Sequence, residues 1–151
     1  MYNNENKCLT FTSVFLILPG IYGLYFNETI FSSLIVMSSI ISYNFWINPK
    51  YDIYRIIDLV YTRTNTLLFL VYNLYLNHKY YYVLLHIHII IQLILTMAYI
   101  SYLIATTCYD KKYTFWFIFY MCAHFFVILG NFTFVNLVIF YNNHEKNLLT
   151  Y

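Results

Sequence analysis

Five stretches of the chain are apolar over a length that spans hydrocarbon, and short polar segments separate them. An α-helix rises ~1.5 Å per residue, so roughly 20 apolar residues cross a core of ~30 Å. Residues 8–26, 30–47, 56–76, 81–104 and 113–133 reach that range, with breaks at Asn27-Glu28-Thr29, Asn48-Pro49-Lys50, Asn77-His78-Lys79 and Asp110-Lys111-Lys112. The pattern predicts one all-α domain, a polytopic transmembrane helical bundle of about five spans, with four or six as the alternatives.

Local signals refine the elements. Pro19-Gly20 predicts a kink in the first span. The leader carries Glu5 beside Lys7 and no small-x-small site follows, so the first run reads as a retained span rather than a cleaved signal peptide. Tyr80 to Tyr109 is about 30 residues, or ~45 Å as a helix, longer than one perpendicular crossing. No Gly or Pro falls between Pro49 and Gly130, so one tilted or protruding helix is expected in place of two short ones. Phe132 to Tyr141 is too short to cross alone. It either prolongs the fifth helix or lies along the interface, and 142–151 reads as a polar tail.

Composition excludes a soluble fold. Of 151 residues 62% are hydrophobic and only 9% charged, against roughly 25% charged in soluble domains. The 19 tyrosines and 14 phenylalanines, with many Ile and Asn, are residues of AT-rich codons, so residue choice is less informative than placement. Charges cluster outside the apolar runs. Lys7, Lys50, Arg55, Arg63, Lys111 and Lys112 share one side of a five-span bundle, and Lys79 and Lys146 share the other. The first side is therefore expected to be cytoplasmic, with the N-terminus inside and the C-terminus lumenal or extracellular. Asn27-Glu28-Thr29 matches a glycosylation sequon but sits very close to the membrane.

A net charge of +2 without a basic stripe excludes nucleic acid as the expected partner; the bilayer, a second copy or another membrane protein remain. Cys8, Cys108 and Cys122 form no CxxC pair. Cys122 reads as core filler. Cys8 and Cys108 flank apolar runs, where palmitoylation is the alternative to a free thiol.

Several polar groups fall within the spans. Asp58, Thr62 and Asn65 share one helical face at i, i+4 and i+7, continued by Tyr72 or Asn73, and this stripe should point at other helices, with Arg63 snorkelling to the surface. A carboxylate inside a span is a functional-site candidate. In the second span Ser38, Ser39, Ser42 and Asn44 fit close helix packing. His86 and His88 point ~200° apart, so they cannot share one metal; His88, on a stripe with Gln92, Thr96 and Tyr99, is the inward candidate. Trp116, Tyr120 and His124 share a face of the fifth span. Counting ~1.5 Å per residue from the span ends puts His124 ~16 Å from the cytoplasmic boundary and His88 ~10 Å from the opposite one, nearly the same depth. Asp58 lies only ~3 Å below the cytoplasmic surface, nearer the level of Asn44 and Tyr120, so one metal centre using Asp58, His88 and His124 requires strong tilting.

The order Ser38-Ser39, Ser42-Tyr43-Asn44, Asp58 and a late His124 resembles the CREST superfamily, which includes alkaline ceramidases and adiponectin receptors. The resemblance covers about 90 residues, from Ser38 to His124. It implies a seven-helix, zinc-dependent hydrolase of lipid amides or esters, in which Asp58 binds or orients the metal, His124 is a ligand and Ser39 or Tyr120 polarises the carbonyl. The departures are that Asn44 stands where the first His belongs, the late pair reads Tyr120-xxx-His124, and 151 residues fall short of seven spans. The resemblance therefore implies a degenerate member that keeps the scaffold without hydrolysis.

The leading reading is thus a non-catalytic multi-pass membrane protein that packs helices or binds partners. The alternatives are a divergent zinc hydrolase using Ser39, Asp58, Tyr120, His124 and His88, and a haem held between His88 and His124. No inverted repeat points to a self-contained transporter.

Overall fold

Hydrocarbon offers no water to the backbone, so a spanning segment must satisfy its N–H and C=O groups internally, and long apolar runs become helices. In the computed structural model, which describes residues 3–47, 53–80 and 85–149, every regular element is helical. The order is α1 (Asn3–Phe15), α2 (Ile17–Tyr25), α3 (Ile30–Ile47), α4 (Ile53–Lys79), α5 (Leu85–Asp110) and α6 (Trp116–Leu149). Among the described residues four segments are long and apolar enough to cross a membrane: Asn6–Tyr25, which joins α1 and α2, then Ile30–Ile47, Leu85–Asp110 and Trp116–Glu145. α4, at 27 residues, has the length but is more polar. The all-α bundle of about five spans is therefore the fold. The expected stop at Asn48-Pro49-Lys50 lies outside the described residues.

The first span breaks at Leu16, one turn before Pro19. Proline has no N–H, and its ring crowds the carbonyl four residues back, here that of Phe15. Leu16 N–H turns instead to the Ser13 carbonyl at 3.2 Å. α2 ends with Asn27 in the left-handed region at φ 63°. Glu28 N–H reaches back to the Gly23 carbonyl at 2.9 Å and Asn27 N–H to that of Leu24 at 3.0 Å, the paired bonds of a Schellman motif. The α5–α6 turn repeats this with Lys112 at φ 59°, Tyr113 N–H bonding the Cys108 carbonyl and Lys112 N–H that of Tyr109. Glu28, read from sequence only as part of a polar turn, is 5% exposed and caps α3. Its carboxylate accepts from the N–H groups of Phe31 and Ser32 and from the Ser32 hydroxyl. The negative charge suits the orphan donors of a helix N-terminus.

The long stretch before Asp110 is one helix, α5, over the described residues from Leu85. α6 runs unbroken for 34 residues, ~51 Å at 1.5 Å each. Phe132 to Tyr141 thus prolongs the fifth span, and the helix continues through 142–149, where a polar tail was expected. Burial explains the extension: Phe134, Val135, Leu137, Val138 and Tyr141 are nearly inaccessible within the bundle. Beyond them Glu145 accepts from Lys79 and Tyr80, tying the end of α6 to that of α4. The carboxylate beside it holds the Lys79 ammonium above the usual lysine range.

α6 is the hub, packing most extensively on α5 and also on α1, α2 and α3; α4 is peripheral, lying on α3 and more sparsely on α5. One core cluster joins Ile35, Phe69, Ile91 and Phe134, with Phe69 and Phe134 stacked at 4.7 Å. A second, at the opposite end, joins Leu9, Phe45, Trp46, Cys108 and Trp116. Trp46 is therefore turned into the bundle rather than out to the headgroups. Cys108 is buried with it, which removes it as an accessible acylation site, whereas Cys122 is exposed and is not core filler.

Small residues allow the closest approach. A Cβ on Gly23 would lie 2.0 Å from Ser32 Oγ and 2.8 Å from Val135 Cγ1, where α2 meets α3 and α6. Ser32 cannot easily yield, because its hydroxyl is bonded to Glu28. Gly23→Ala should therefore cost ~1–3 kcal/mol through overpacking and lower the unfolding midpoint in detergent by on the order of 5 °C. Gly130→Ala, whose Cβ would meet nothing closer than Ile94 Cγ2 at 3.3 Å, should remain near wild type. Equal thermal shifts for the two variants would remove close approach as the explanation.

Candidate functional site

Two groups of polar residues within the spans are candidates for a site. The first is built around His88. At the expected inward position on α5, it is 3% exposed, while His86 faces outward. Its Nδ1 lies 2.6 Å from Asn73 Oδ1 on α4, and its Nε2 3.1 Å from the Tyr141 hydroxyl on α6. An amide oxygen only accepts, so Nδ1 carries the proton and Nε2 accepts from Tyr141. A neutral imidazole with both nitrogens engaged has no lone pair left for a metal or haem iron. Tyr80 stacks on Tyr141 at 4.1 Å and covers the group.

His88 is thus level with Tyr141, whereas His124 lies 17 residues earlier on α6, ~25 Å along the axis. The matched depth expected for the two histidines does not hold. α5 and α6 form a hairpin whose register is set at the Lys112 turn, and α6 extends well beyond the span length from which that depth was reckoned. His88, proposed from sequence as a ligand beside His124, is a helix-to-helix bridge. Gln92, Thr96 and Tyr99 do not continue its buried face, which instead follows Ile91, Ala98, Ser101, Ala105 and Cys108. The first three line a cavity.

That cavity, the second place, has a volume of about 480 Å³ and is walled by α3, α4, α5 and α6. Its polar lining includes Ser38, Ser42, Asp58, Asn65, Tyr120 and His124, set among Ile35, Phe69, Leu95, Val127 and other apolar groups. The stripe on α4 points inward at Asn65, whose Nδ2 donates to Ser38 Oγ at 2.8 Å, whereas Thr62 is exposed at the cavity rim. Asp58 takes a hydrogen bond from Ser42, and its Oδ1 is buried with no partner among the described residues. Trp46, one turn beyond Ser42 on α3, also lines the cavity, and its Nε1 is buried without an acceptor among them.

His124 is held from outside the cavity. Its Nδ1 lies 2.8 Å from Thr12 Oγ1 on α1. The Thr12 hydroxyl also lies 3.0 Å from the Leu9 carbonyl. With its single proton given to that carbonyl, Thr12 accepts from Nδ1–H, leaving Nε2 as the acceptor of the ring. Asp58, Tyr120 and His124 share one cavity that His88 does not line, because Asp58 is five residues into α4 and His124 eight into α6, axial levels only ~5 Å apart.

Ser39 does not join them. It is 3% exposed and gives its proton to the Ser13 carbonyl on α1 at 2.7 Å, near the Ser13 to Ser42 hydroxyl contact at 3.4 Å. It binds α3 to the kinked first span and is not a carbonyl-polarising group. Asn44, at the position of an expected first histidine, is exposed on the other side of α3. Among the described residues no three of His, Cys, Asp and Glu are grouped to hold a metal. The donor set among the described residues therefore does not fit the zinc that the CREST resemblance implies. Thr12, which sequence reasoning passed over, carries part of the arrangement, beside Asn73 at the expected end of the α4 stripe and Trp46, turned inward from the end of its span. A polar residue at an inward position was the only sequence signal for Thr12. No family model, curated protein or solved structure matches the chain.

The His88 bridge yields a direct test. His88→Leu takes away the donor to buried Asn73 Oδ1 and the acceptor that His88 offers Tyr141, so it should destabilise the protein by ~1–3 kcal/mol. In a double-mutant cycle with Asn73→Leu, equilibrium unfolding in mixed detergent should give a coupling of ~1 kcal/mol. Additive variants would show that the bond contributes nothing.

Proposed function

We propose that this chain is a non-catalytic, multi-pass membrane protein acting through helix packing and partner binding in the bilayer. In this reading it has five spans, a cytoplasmic N-terminus and a C-terminus on the opposite side. The observation that carries the proposal is where the polar side chains spend their hydrogen bonds. Ser13 with Ser39 and Ser42, Thr12 with His124, Ser38 with Asn65, and Asn73 with His88 and Tyr141 all join one helix of the chain to another. Groups committed to neighbouring helices serve architecture, and in hydrocarbon such bonds stabilise association directly. The partners are the lipid bilayer and other membrane helices, either of a second copy or of another protein. They meet the chain along α4, the helix least covered by its own bundle.

The competing reading, a divergent lipid hydrolase, draws on one observation: Asp58, Tyr120 and His124 line the same cavity. Elemental mass spectrometry of detergent-purified protein separates the two. The expected result is no stoichiometric metal in wild type, with Asp58→Asn and His124→Gln folding to comparable yield. Close to one zinc per chain, lost in both Asp58→Ala and His124→Ala, would replace the architectural reading with the hydrolytic one.

A further inference from the structure

The cavity itself is left over from that reading, since a bundle whose role is packing alone has no need of about 480 Å³ of space beside α4. Its size falls within the roughly 300–1,000 Å³ of small-molecule sites, which are likewise mostly apolar with a few placed polar groups. At its rim Thr62, Arg63, Leu67 and Tyr99 are exposed on α4 and α5, the pair of neighbouring helices that pack sparsely. Access is thus from the side, where lipid lies, rather than from water alone.

Two buried atoms describe the guest. Among the described residues Trp46 Nε1–H is a donor without an acceptor, on a residue 6% exposed, and Asp58 Oδ1 is an acceptor without a donor. Ser42 bonds Asp58 and sits one helical turn before Trp46, so the two unpaired atoms belong to one neighbourhood of the wall. An unpaired polar group in an apolar setting costs several kcal/mol. One chemical group repairs both deficits: a hydroxyl, which donates once and accepts twice. Both atoms lie just behind the cavity wall rather than on it, and the broad χ2 torsions of aspartate and tryptophan let each turn toward the cavity.

The apolar remainder describes the rest of the molecule. Away from this end Ile35, Phe69, Leu95 and Val127 supply the apolar wall, with Asn65, Gln92 and Asn131 set among them. A methylene takes up nearly the ~30 Å³ of a liquid water, so the volume accommodates on the order of 16 chain carbons. We propose that the cavity is a binding site for a single-chain neutral lipid with a hydroxyl head, its chain between α4 and α5 and its hydroxyl donating to Asp58 and accepting from Trp46. A fatty acid of the same length is disfavoured because its carboxylate would face that of Asp58. A two-chain phospholipid exceeds the space. The inference does not depend on whether the protein is catalytic.

The test is native mass spectrometry of the full chain in detergent, titrated separately with 1-hexadecanol, palmitic acid and cholesterol. The expected result is one hexadecanol per chain, bound at least tenfold more tightly than palmitic acid or cholesterol. Ala123→Leu, which fills the cavity from a lining position, and Trp46→Phe, which removes the donor and keeps an aromatic ring, should each weaken that binding at least tenfold. Ile118→Ala, at an exposed site on α6 outside the cavity, should leave it unchanged. Gel filtration and the thermal midpoint establish folding of each variant, and Ala123→Leu carries the test alone if Trp46→Phe fails to fold. Equal binding of the three lipids, preference for cholesterol or palmitic acid, no binding, or hexadecanol binding indifferent to Ala123→Leu would overturn the proposal.

Discussion

Hydrogen bonding without water governs this fold. Inside hydrocarbon a polar side chain has only the rest of the chain to turn to, so many that cannot reach the surface cap a helix end or tie one helix to another. Glu28 shows the strength of the requirement. Its carboxylate lies buried at the start of α3 and takes three hydrogen bonds, two from the backbone donors that a helix N-terminus leaves over. The Thr12–His124 and His88–Tyr141 contacts then fix which faces of α1, α5 and α6 can meet.

Close packing depends on the same ties. Gly23 lets α2 come against Ser32 and Val135, and Ser32 is in turn held by Glu28. The break at Leu16 gives α1 its own direction, which brings Ser13 beside Ser39 and Ser42 and Thr12 beside His124. Proline at position 19 therefore acts at a distance: by loosening the helix one turn earlier, it allows the first span to serve two neighbours. α4 receives fewer such ties, which leaves the space beside Asp58.

The two histidines illustrate how chemistry is assigned by surroundings. Both are imidazoles in apolar spans, yet His88 is saturated by Asn73 and Tyr141 while His124 is bonded at Nδ1 and borders a cavity. Residue type made them equal candidates for metal. Partners on other helices separated them.

What the linear chain determined by itself was the class of fold and the sense of most faces. Hydrophobic runs of bilayer length, the absence of Gly and Pro from Pro49 to Gly130, and the inward stripe of Asp58 and Asn65 are local properties, legible because helical period and span length are set by the backbone. The tertiary structure alone decided the end of α6, the register of α5 on α6, the burial of Trp46 and Cys108, the exposure of Cys122 and Asn44, and the companions of Ser39 and His88. Each depends on a neighbour remote in sequence. A periodic pattern says which way a side chain faces along its own helix; only the packing of helices says what it meets there.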